Sequence, residues 1–81
     1  MKLPRDISGI ELARALVALG YTTTRQTGSH LRLTTQEHGE HHVTIPTHKS
    51  MKVGTLSAIL SEIAGHFDVD RGEIARRLFG G

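Results

Sequence analysis

The sequence contains no cysteine, and its aromatic residues are limited to Tyr21, Phe67 and Phe79. Without cysteine the chain forms neither a disulfide framework nor a thiolate zinc site, and this composition favours the reducing cytoplasm. With so few aromatic side chains, the strands cannot provide the base-stacking surface of an RNA-recognition motif. Any contact with RNA is therefore expected to use its backbone and its 2′-hydroxyl groups.

Long hydrophobic runs are missing as well. No stretch approaches the roughly 18 consecutive apolar residues of a membrane-spanning helix, and the N-terminus lacks the apolar core of a signal peptide. A chain of 81 residues has room for a few helices and one small sheet. We therefore expect a single cytoplasmic domain over residues 1–81, with its core over about 8–65 and no membrane segment.

The charge balance is mildly basic, and histidine is unusually frequent. The net charge is +2 with neutral histidines, and the sequence pI is about 9.5. Six histidines add positive charge when the pH falls below neutrality. This balance is compatible with an anionic partner but does not require one.

Three segments carry the apolar periodicity and the end signals of helices, at about 9–19, 54–64 and 71–79. Ser8 and Glu11 form a capping box before the first, and Gly20 and Gly65 are natural stops after the first two. The apolar stripe of the first helix comprises Ile10, Ala13, Leu16 and Val17, widened by Leu12 and Leu19. Asp70 and Glu73 resemble a second capping box at the start of the third helix.

Three strands are predicted between the first two helices, at about 21–26, 30–35 and 41–45, with Pro46 ending the third. Short polar turns join them into an antiparallel meander. The order α-β-β-β-α plus a C-terminal helix defines an α+β fold, with the first two helices on one sheet face and the other face open. The extension over about 68–79 is expected to pack on this core through Ile74, Leu78 and Phe79.

The stretch from Thr27 to Leu33 places a titratable side chain beside a permanent cation. Gly28 permits a sharp bend before the second strand. Leu31 and Leu33 then point to one face, and His30 and Arg32 point to the other. An imidazole can remove or deliver a proton at neutral pH, whereas a solvated surface histidine is the simpler interpretation of the spacing alone.

The other histidines of the strands and loops invite a metal-binding interpretation, since imidazoles bind zinc and nickel. His41 and His42, however, point to opposite faces of a strand, and no carboxylate or cysteine stands at ligand spacing. Solvated positions are the simpler interpretation, and we expect no metal site and no cofactor. His42 shares the outward face of His30 and is a candidate for a second acid–base group. These other histidines of the strands and loops are His38, His41, His42 and His48.

Lys49 and Lys52 precede the second helix. The N-terminus of a helix presents free backbone N–H groups and a positive dipole end to a phosphate, and two lysines strengthen that attraction. The alternative is a solvated loop. Arg25 and Arg32 can likewise face the backbone of bound RNA, or be solvated.

Three motifs follow one another at short spacings: Gln26-Thr27-Gly28-Ser29-His30, then Val43-Thr44-Ile45-Pro46-x-His48, then Lys52-x-Gly54-Thr55-Leu56-x-x-Ile59-Leu60. Together they resemble the HicA toxins of bacterial toxin–antitoxin pairs, over about residues 10–64. The resemblance implies a fold similar to double-stranded-RNA-binding domains. It also implies an endoribonuclease that cleaves mRNA and is silenced by a HicB-type antitoxin. The C-terminal extension lies beyond the usual end of the family.

The resemblance implies that His30 is the catalytic residue, and the chemistry is expected to be metal-independent. The expected substrate is single-stranded or partly structured mRNA, and the antitoxin is expected to bury His30 and to touch the loop 47–52. Two alternatives stay open: a non-catalytic double-stranded-RNA-binding module, and an inactive remnant that binds a partner protein. The residues expected to bind the substrate are Gly28, Ser29, Arg32, Lys49 and Lys52.

Overall fold

The computed structural model describes residues 3–80, and Met1, Lys2 and Gly81 lie outside this range. The order of its elements confirms the predicted α+β fold with an additional C-terminal helix. The elements are α1 (Gly9–Ala15), a short 3-10 helix (Leu16–Leu19), β1 (Thr22–Gln26), β2 (His30–Thr35), β3 (His41–Pro46), α2 (Val53–Phe67) and α3 (Arg71–Phe79). Within residues 3–80, no helix is long and apolar enough to cross a membrane.

Helix α1 begins at the predicted capping box. The Ser8 hydroxyl accepts a hydrogen bond from the Glu11 N–H at 3.0 Å, and the Glu11 carboxylate accepts one from the Ser8 N–H at 2.9 Å. These bonds satisfy two of the free N–H groups at the start of the helix. Gly20 ends the segment with a φ of 83°, a conformation that glycine adopts without strain.

The buried stripe of α1 and of the 3-10 helix that continues it is narrower than the predicted stripe. Leu12 and Leu16 are fully buried, whereas Ile10 is 41% exposed and Val17 is 62% exposed. Ile10 and Val17 lie at the border of the stripe beside β1, along a groove that no other described element fills. The apolar stripe predicted from the sequence therefore includes two residues that the core does not bury.

Helix α2 runs beyond its predicted end at Ala64. Gly65 is an exposed residue inside the helix, and the helix ends at the buried Phe67 before Asp68, whose φ is 57°. A glycine inside a helix costs about 1 kcal/mol relative to alanine, whereas burying a phenylalanine contributes about 1.5–3 kcal/mol. Burial of Phe67 thus decides where the helix ends, and the prediction of a stop at Gly65 is wrong.

The strands form one antiparallel sheet in the order β1-β2-β3, as the meander predicted. Strand β2 pairs with β3 from His30 opposite Pro46 to Thr35 opposite His41. Alternate side chains of these strands lie under the helices, and the others lie on the open outer face, where Thr34 is nevertheless buried. The apolar side chains buried under the helices are Leu31, Leu33, Val43 and Ile45, and Thr35 is buried beside them.

Helix α3 has its predicted bounds and packs on the same core, with Ile74 fully buried. The Asp70 carboxylate accepts a hydrogen bond from the Glu73 N–H at 2.8 Å and so caps the helix. The Glu73 side chain does not complete a capping box, because it pairs with Arg76 and Arg77 one turn later. The sequence thus predicted the cap at Asp70 correctly and the role of Glu73 incorrectly.

Tyr21 is fully buried and joins the sheet to α2 at the end far from His30. Its hydroxyl lies 2.7 Å from His41 Nδ1. Burial, reinforced by the charge of Glu62, raises the pKa of Tyr21 to about 12, so the hydroxyl keeps its proton at neutral pH. The hydroxyl donates to Nδ1 or accepts from it according to the His41 tautomer. His41 also stacks on His66 with 4.4 Å between ring centroids, and its Nε2 lies 3.5 Å from Glu62 Oε2. His41 therefore fits this cluster as a neutral imidazole.

We predict that this cluster makes the protein less stable in mild acid. Burial lowers the pKa of His41, and so do the charges of His66 and His42, against an opposing effect of Glu62. In the unfolded chain a histidine titrates near about 6.5, so the unfolded state binds the proton more readily than the folded state does. The contribution of His41 is therefore complete above about pH 6.5 and is lost as the pH falls through the lower pKa of the folded state.

Urea unfolding of the wild type and of His41→Gln, between about pH 7.5 and pH 5, checks this sign. The glutamine amide can still form a hydrogen bond with the Tyr21 hydroxyl but does not titrate. The variant is expected to lose less of its free energy of unfolding over this interval. Equal losses in the two proteins would contradict the assignment to His41.

Candidate functional site

Three separate segments meet at the end of the sheet that carries His30. The Thr47 N–H donates to the Ser29 carbonyl at 3.0 Å, and the Thr47 hydroxyl donates to the Gly28 carbonyl at 3.2 Å. The start of α1 joins them, because the Gly9 N–H donates to the His48 carbonyl at 3.0 Å. The β1–β2 turn, the loop 47–52 and the first turn of α1 are thus fixed to one another.

Of Gly9 and Gly28 in this region, Gly9 alone occupies a position where a larger residue would not fit. A Cβ atom on Gly9 would lie 1.9 Å from the Pro46 carbonyl oxygen, so only glycine lets α1 approach the end of β3 this closely. Gly28 has no positive φ, and a Cβ there would meet no atom within 4 Å. The expectation that Gly28 bends the chain through backbone angles closed to other residues is therefore wrong. Its missing side chain instead leaves the backbone of the turn uncovered.

His30 is the first residue of β2 and is exposed on the outer face. Its Nδ1 lies 3.0 Å from the Ser29 hydroxyl, which can donate to that nitrogen or accept from it according to the tautomer. Its carbonyl accepts a hydrogen bond from the Thr27 N–H at 2.9 Å, which closes the turn. Nε2 makes no hydrogen bond to residues 3–80 and faces outward.

As predicted, Lys49 and Lys52 are exposed in the loop 47–52, which Thr47 tethers to the β1–β2 turn. Lys52 occupies the N-cap position of α2, where no side chain of residues 3–80 caps the first N–H groups and the first turn has no acidic residue. Free N–H groups, the positive end of the helix dipole and two ammonium groups all attract an anion. This loop can therefore hold a phosphate at the end of the molecule where His30 lies.

His42 shares the outer face with His30 but lies far along the sheet. It pairs with Thr34, four residues beyond His30 on β2 and hence about 13 Å away. Its Nδ1 lies 2.7 Å from the Thr34 hydroxyl, and its Nε2 lies 3.1 Å from the Glu40 carboxylate. His30 and His42 therefore cannot act on the same phosphate, and the structure does not support His42 as the second acid–base group.

The remaining histidines do not assemble into a metal site in the described part of the chain. Among residues 3–80, no group of three or more histidine, aspartate or glutamate side chains is placed to hold a metal ion. His41 and His42 point to opposite faces of β3, as predicted. A groove of about 260 Å³ lies on the helix side, between α1 and β1, and is lined by none of the predicted site residues.

A family model described as the HicA toxin of bacterial toxin–antitoxin systems matches residues 9–65. The chain belongs to the HicA toxin family. The match covers α1, the sheet and most of α2, and thus includes all three tethered segments, whereas α3 lies beyond it. No curated protein and no solved structure matched the chain. Membership assigns the chain the role of a toxin in a toxin–antitoxin pair.

Reasoning from the sequence missed Thr47 and Gly9, the two residues that fix the site together. Neither stands in a pattern that marks a hydrogen bond or a close approach to a distant segment. The order of the three motifs was the signal in the sequence that pointed to this region, because it indicated that the β1–β2 turn and the loop 47–52 serve one site.

We predict that Thr47→Val lowers the free energy of unfolding by about 0.5–1.5 kcal/mol, since the substitution removes the hydroxyl that binds the Gly28 carbonyl and keeps the side-chain volume. Urea unfolding measures this loss. Thr47→Ser retains the hydroxyl and is expected to retain most of the stability. Thr55→Val, at an exposed position of α2, is the matched control. A loss at Thr47 no larger than the loss at Thr55 would contradict the tether.

Proposed function

We propose that this HicA family toxin is a metal-independent endoribonuclease that cleaves mRNA, with His30 as a proton-transfer group. The tether through Thr47 carries the proposal, because it joins the turn before His30 to the loop of Lys49 and Lys52. A proton-transfer group beside a phosphate-binding loop is what RNA cleavage requires. The match to the HicA toxin family supports the same function.

The nucleophile in this chemistry is the 2′-hydroxyl group of the RNA itself. Its oxygen attacks the adjacent phosphorus, the bond from phosphorus to the 5′-oxygen breaks, and a 2′,3′-cyclic phosphate and a 5′-hydroxyl remain. One group removes the proton of the 2′-hydroxyl, and one delivers a proton to the leaving 5′-oxygen. His30 Nε2 performs one of these transfers, and the Ser29 hydroxyl at Nδ1 orients the ring.

The negative charge that develops on the phosphate is met by the tethered loop. Lys49, Lys52 and the first N–H groups of α2 bind the non-bridging oxygens and stabilise the transition state. Gly28 leaves the turn open, so that the RNA backbone can approach it. Arg32 lies two residues beyond His30 on the same face and contacts the RNA backbone there.

For the second proton transfer we propose His48 of the loop 47–52 rather than a histidine of the sheet. His48 follows Thr47 directly and is exposed, and its carbonyl is fixed by the Gly9 N–H. His42, held by Thr34 and Glu40, is too far from His30 for this role.

A non-catalytic double-stranded-RNA-binding module of the same fold is the alternative. The distance between His42 and His30 favours this non-catalytic alternative. Within the described chain, no second imidazole lies beside His30 on the sheet face. Such a module would bind RNA through the same lysines without cleaving it.

We predict that His30→Ala abolishes RNA cleavage with little change in stability, because the side chain is exposed and its one hydrogen bond within residues 3–80 is to Ser29. The measurement is incubation of each purified protein with a long RNA in EDTA, followed by analysis of the fragment ends. The wild type is expected to cleave in EDTA and to leave cyclic phosphate ends. His42→Ala is the matched control and is expected to cleave normally. Unchanged cleavage by folded His30→Ala would remove His30 from the mechanism, and loss of wild-type cleavage in EDTA would favour a metal.

We predict that Lys49→Ala and Lys52→Ala each weaken RNA binding and flatten its dependence on salt. Each lost phosphate contact lowers the slope of log affinity against log salt by about 0.7 for single-stranded RNA. Binding titrations at several salt concentrations give the slope. Arg14→Ala removes the same charge from the helix side and is expected to leave the slope unchanged. An unchanged slope in the lysine variants would place the RNA elsewhere.

We propose a HicB-type antitoxin as the protein partner, which inhibits by covering His30. Acidic groups of the antitoxin placed against Arg32, Lys49 and Lys52 would displace the RNA and speed association. We therefore predict that amide hydrogen exchange of the complex shows protection in residues 27–32 and 47–52. Protection confined to α3 would show that inhibition does not occur by occlusion.

A further inference from the structure

Two arginines stand directly opposite each other on the outer face of the sheet. Arg25 of β1 pairs with Arg32 of β2, and Thr44 of β3 lies on the other side of Arg32. All three side chains are exposed. Partners in an antiparallel pair point to the same face, so both guanidinium groups extend from the face that carries His30.

A β-bulge creates this arrangement. The pairing of β1 with β2 shifts between Thr23 and Arg25, so that Thr24 is an extra residue. Without the bulge, Thr24 would lie opposite Arg32, and Arg25 would turn to the inner side opposite Leu31. The Thr24 hydroxyl secures the irregularity by donating to the Arg32 carbonyl at 3.3 Å, and it lies 3.0 Å from the Thr34 hydroxyl. Bulges re-aim side chains in this way beside functional sites.

The paired arginines are unfavourable for the free protein. Like charges directly opposite each other on a sheet are destabilising. The ion pairs within residues 3–80 involve neither arginine, and the nearby Glu40 is engaged with His42 two rows away. An anion between the two guanidinium groups would remove this repulsion and would accept hydrogen bonds from both.

We infer that Arg25 and Arg32 together bind the phosphate adjacent to the one that is cleaved beside His30. Arg32 lies two residues from His30, about 7 Å along the strand, a span that one nucleotide of an extended backbone covers. The Thr44 hydroxyl lies on the same row and can donate to this phosphate. The RNA would then run from the loop of Lys49 and Lys52 past His30 and across the open sheet. This inference rests on the proposed function for the identity of the ligand.

RNA is favoured over a protein ligand by the composition of this surface. The row of Arg25, Arg32 and Thr44 has charge and hydroxyl groups but no apolar side chain that would anchor a protein. Of the exposed large apolar residues within residues 3–80, Ile10 and Val17 line the groove on the helix side, and Val53 is the first residue of α2. A surface of donors without apolar anchors suits a phosphodiester backbone.

The first test measures the repulsion in the free protein. Arg25→Gln and Arg32→Gln are each expected to raise the melting temperature by about 1–4 °C, because either removes the like-charge pair. The double variant is expected to gain little more than one single variant, since the repulsion disappears with the first substitution. Arg14→Gln, the matched control on α1, is expected to give no rise. Single variants no more stable than the wild type would overturn the inference.

The second test measures binding to a short 2′-O-methyl RNA, which cannot be cleaved through its 2′-oxygen. Each single variant is expected to bind about 3- to 10-fold more weakly, and the salt slope is expected to fall by about 0.7. The loss in the double variant should be smaller than the sum of the free-energy losses of the single variants, because both arginines hold one phosphate. Arg14→Gln is expected to bind like the wild type.

These measurements separate the inference from the proposed function. Weakened binding by the arginine variants supports the phosphate site even if His30→Ala still cleaves ordinary RNA. Wild-type affinity in both arginine variants overturns it even if His30 proves catalytic. Unchanged RNA affinity with weaker co-purification of a co-expressed antitoxin would make the pair a protein contact, which also overturns the inference.

Discussion

Helices cover only one face of the sheet, and the rest of this structure depends on that constraint. Two helices suffice for one face of three strands, so alternate residues of β2 and β3 enter the core and the others must stay outside. Burial of Leu31, Leu33, Val43 and Ile45 fixes the register, because a slip of one residue would expose all of them. The same register places His30, Arg32 and Thr44 on the open face. The hydrophobic core thus determines where the polar chemistry lies.

The two ends of the sheet are built for different purposes. At one end, hydrogen bonds from Thr47 and Gly9 to backbone carbonyls hold the turn before His30, the loop of the two lysines and the start of α1 together, and the side chains of His30 and the two lysines are exposed. At the other end, His41 is bonded to the Tyr21 hydroxyl and stacked on His66. Histidines of one chain therefore serve as an accessible imidazole in one place and as a structural hydrogen-bond partner in the other, and burial and neighbouring groups make the difference.

The outer face illustrates a conflict between stability and ligand binding. Arg25 lies opposite Arg32 only because Thr24 is an extra residue in β1. A regular strand would have avoided the repulsion between the two guanidinium groups. Helix α3, in contrast, satisfies its own charges through Glu73, Arg76 and Arg77 and buries Ile74 in the shared core. Arg25 and Arg32 on the open face, by contrast, take part in none of the ion pairs within residues 3–80, and we propose that RNA binds there.

Local signals in the sequence determined the order of the elements, the capping box of Ser8 and Glu11, the bounds of β2 and α3, and the outward direction of His30 and Arg32. These features depend on neighbours along the chain or on the alternation of a strand, which a sequence displays directly. Only the tertiary structure decided that α2 continues past Gly65, since the burial of Phe67 depends on distant residues. It likewise decided that His42 lies far from His30, that Thr47 binds the Gly28 carbonyl, and that a bulge turns Arg25 toward Arg32. Each depends on register or on contact between segments remote in the sequence, and such contacts are set by the packing of the whole core.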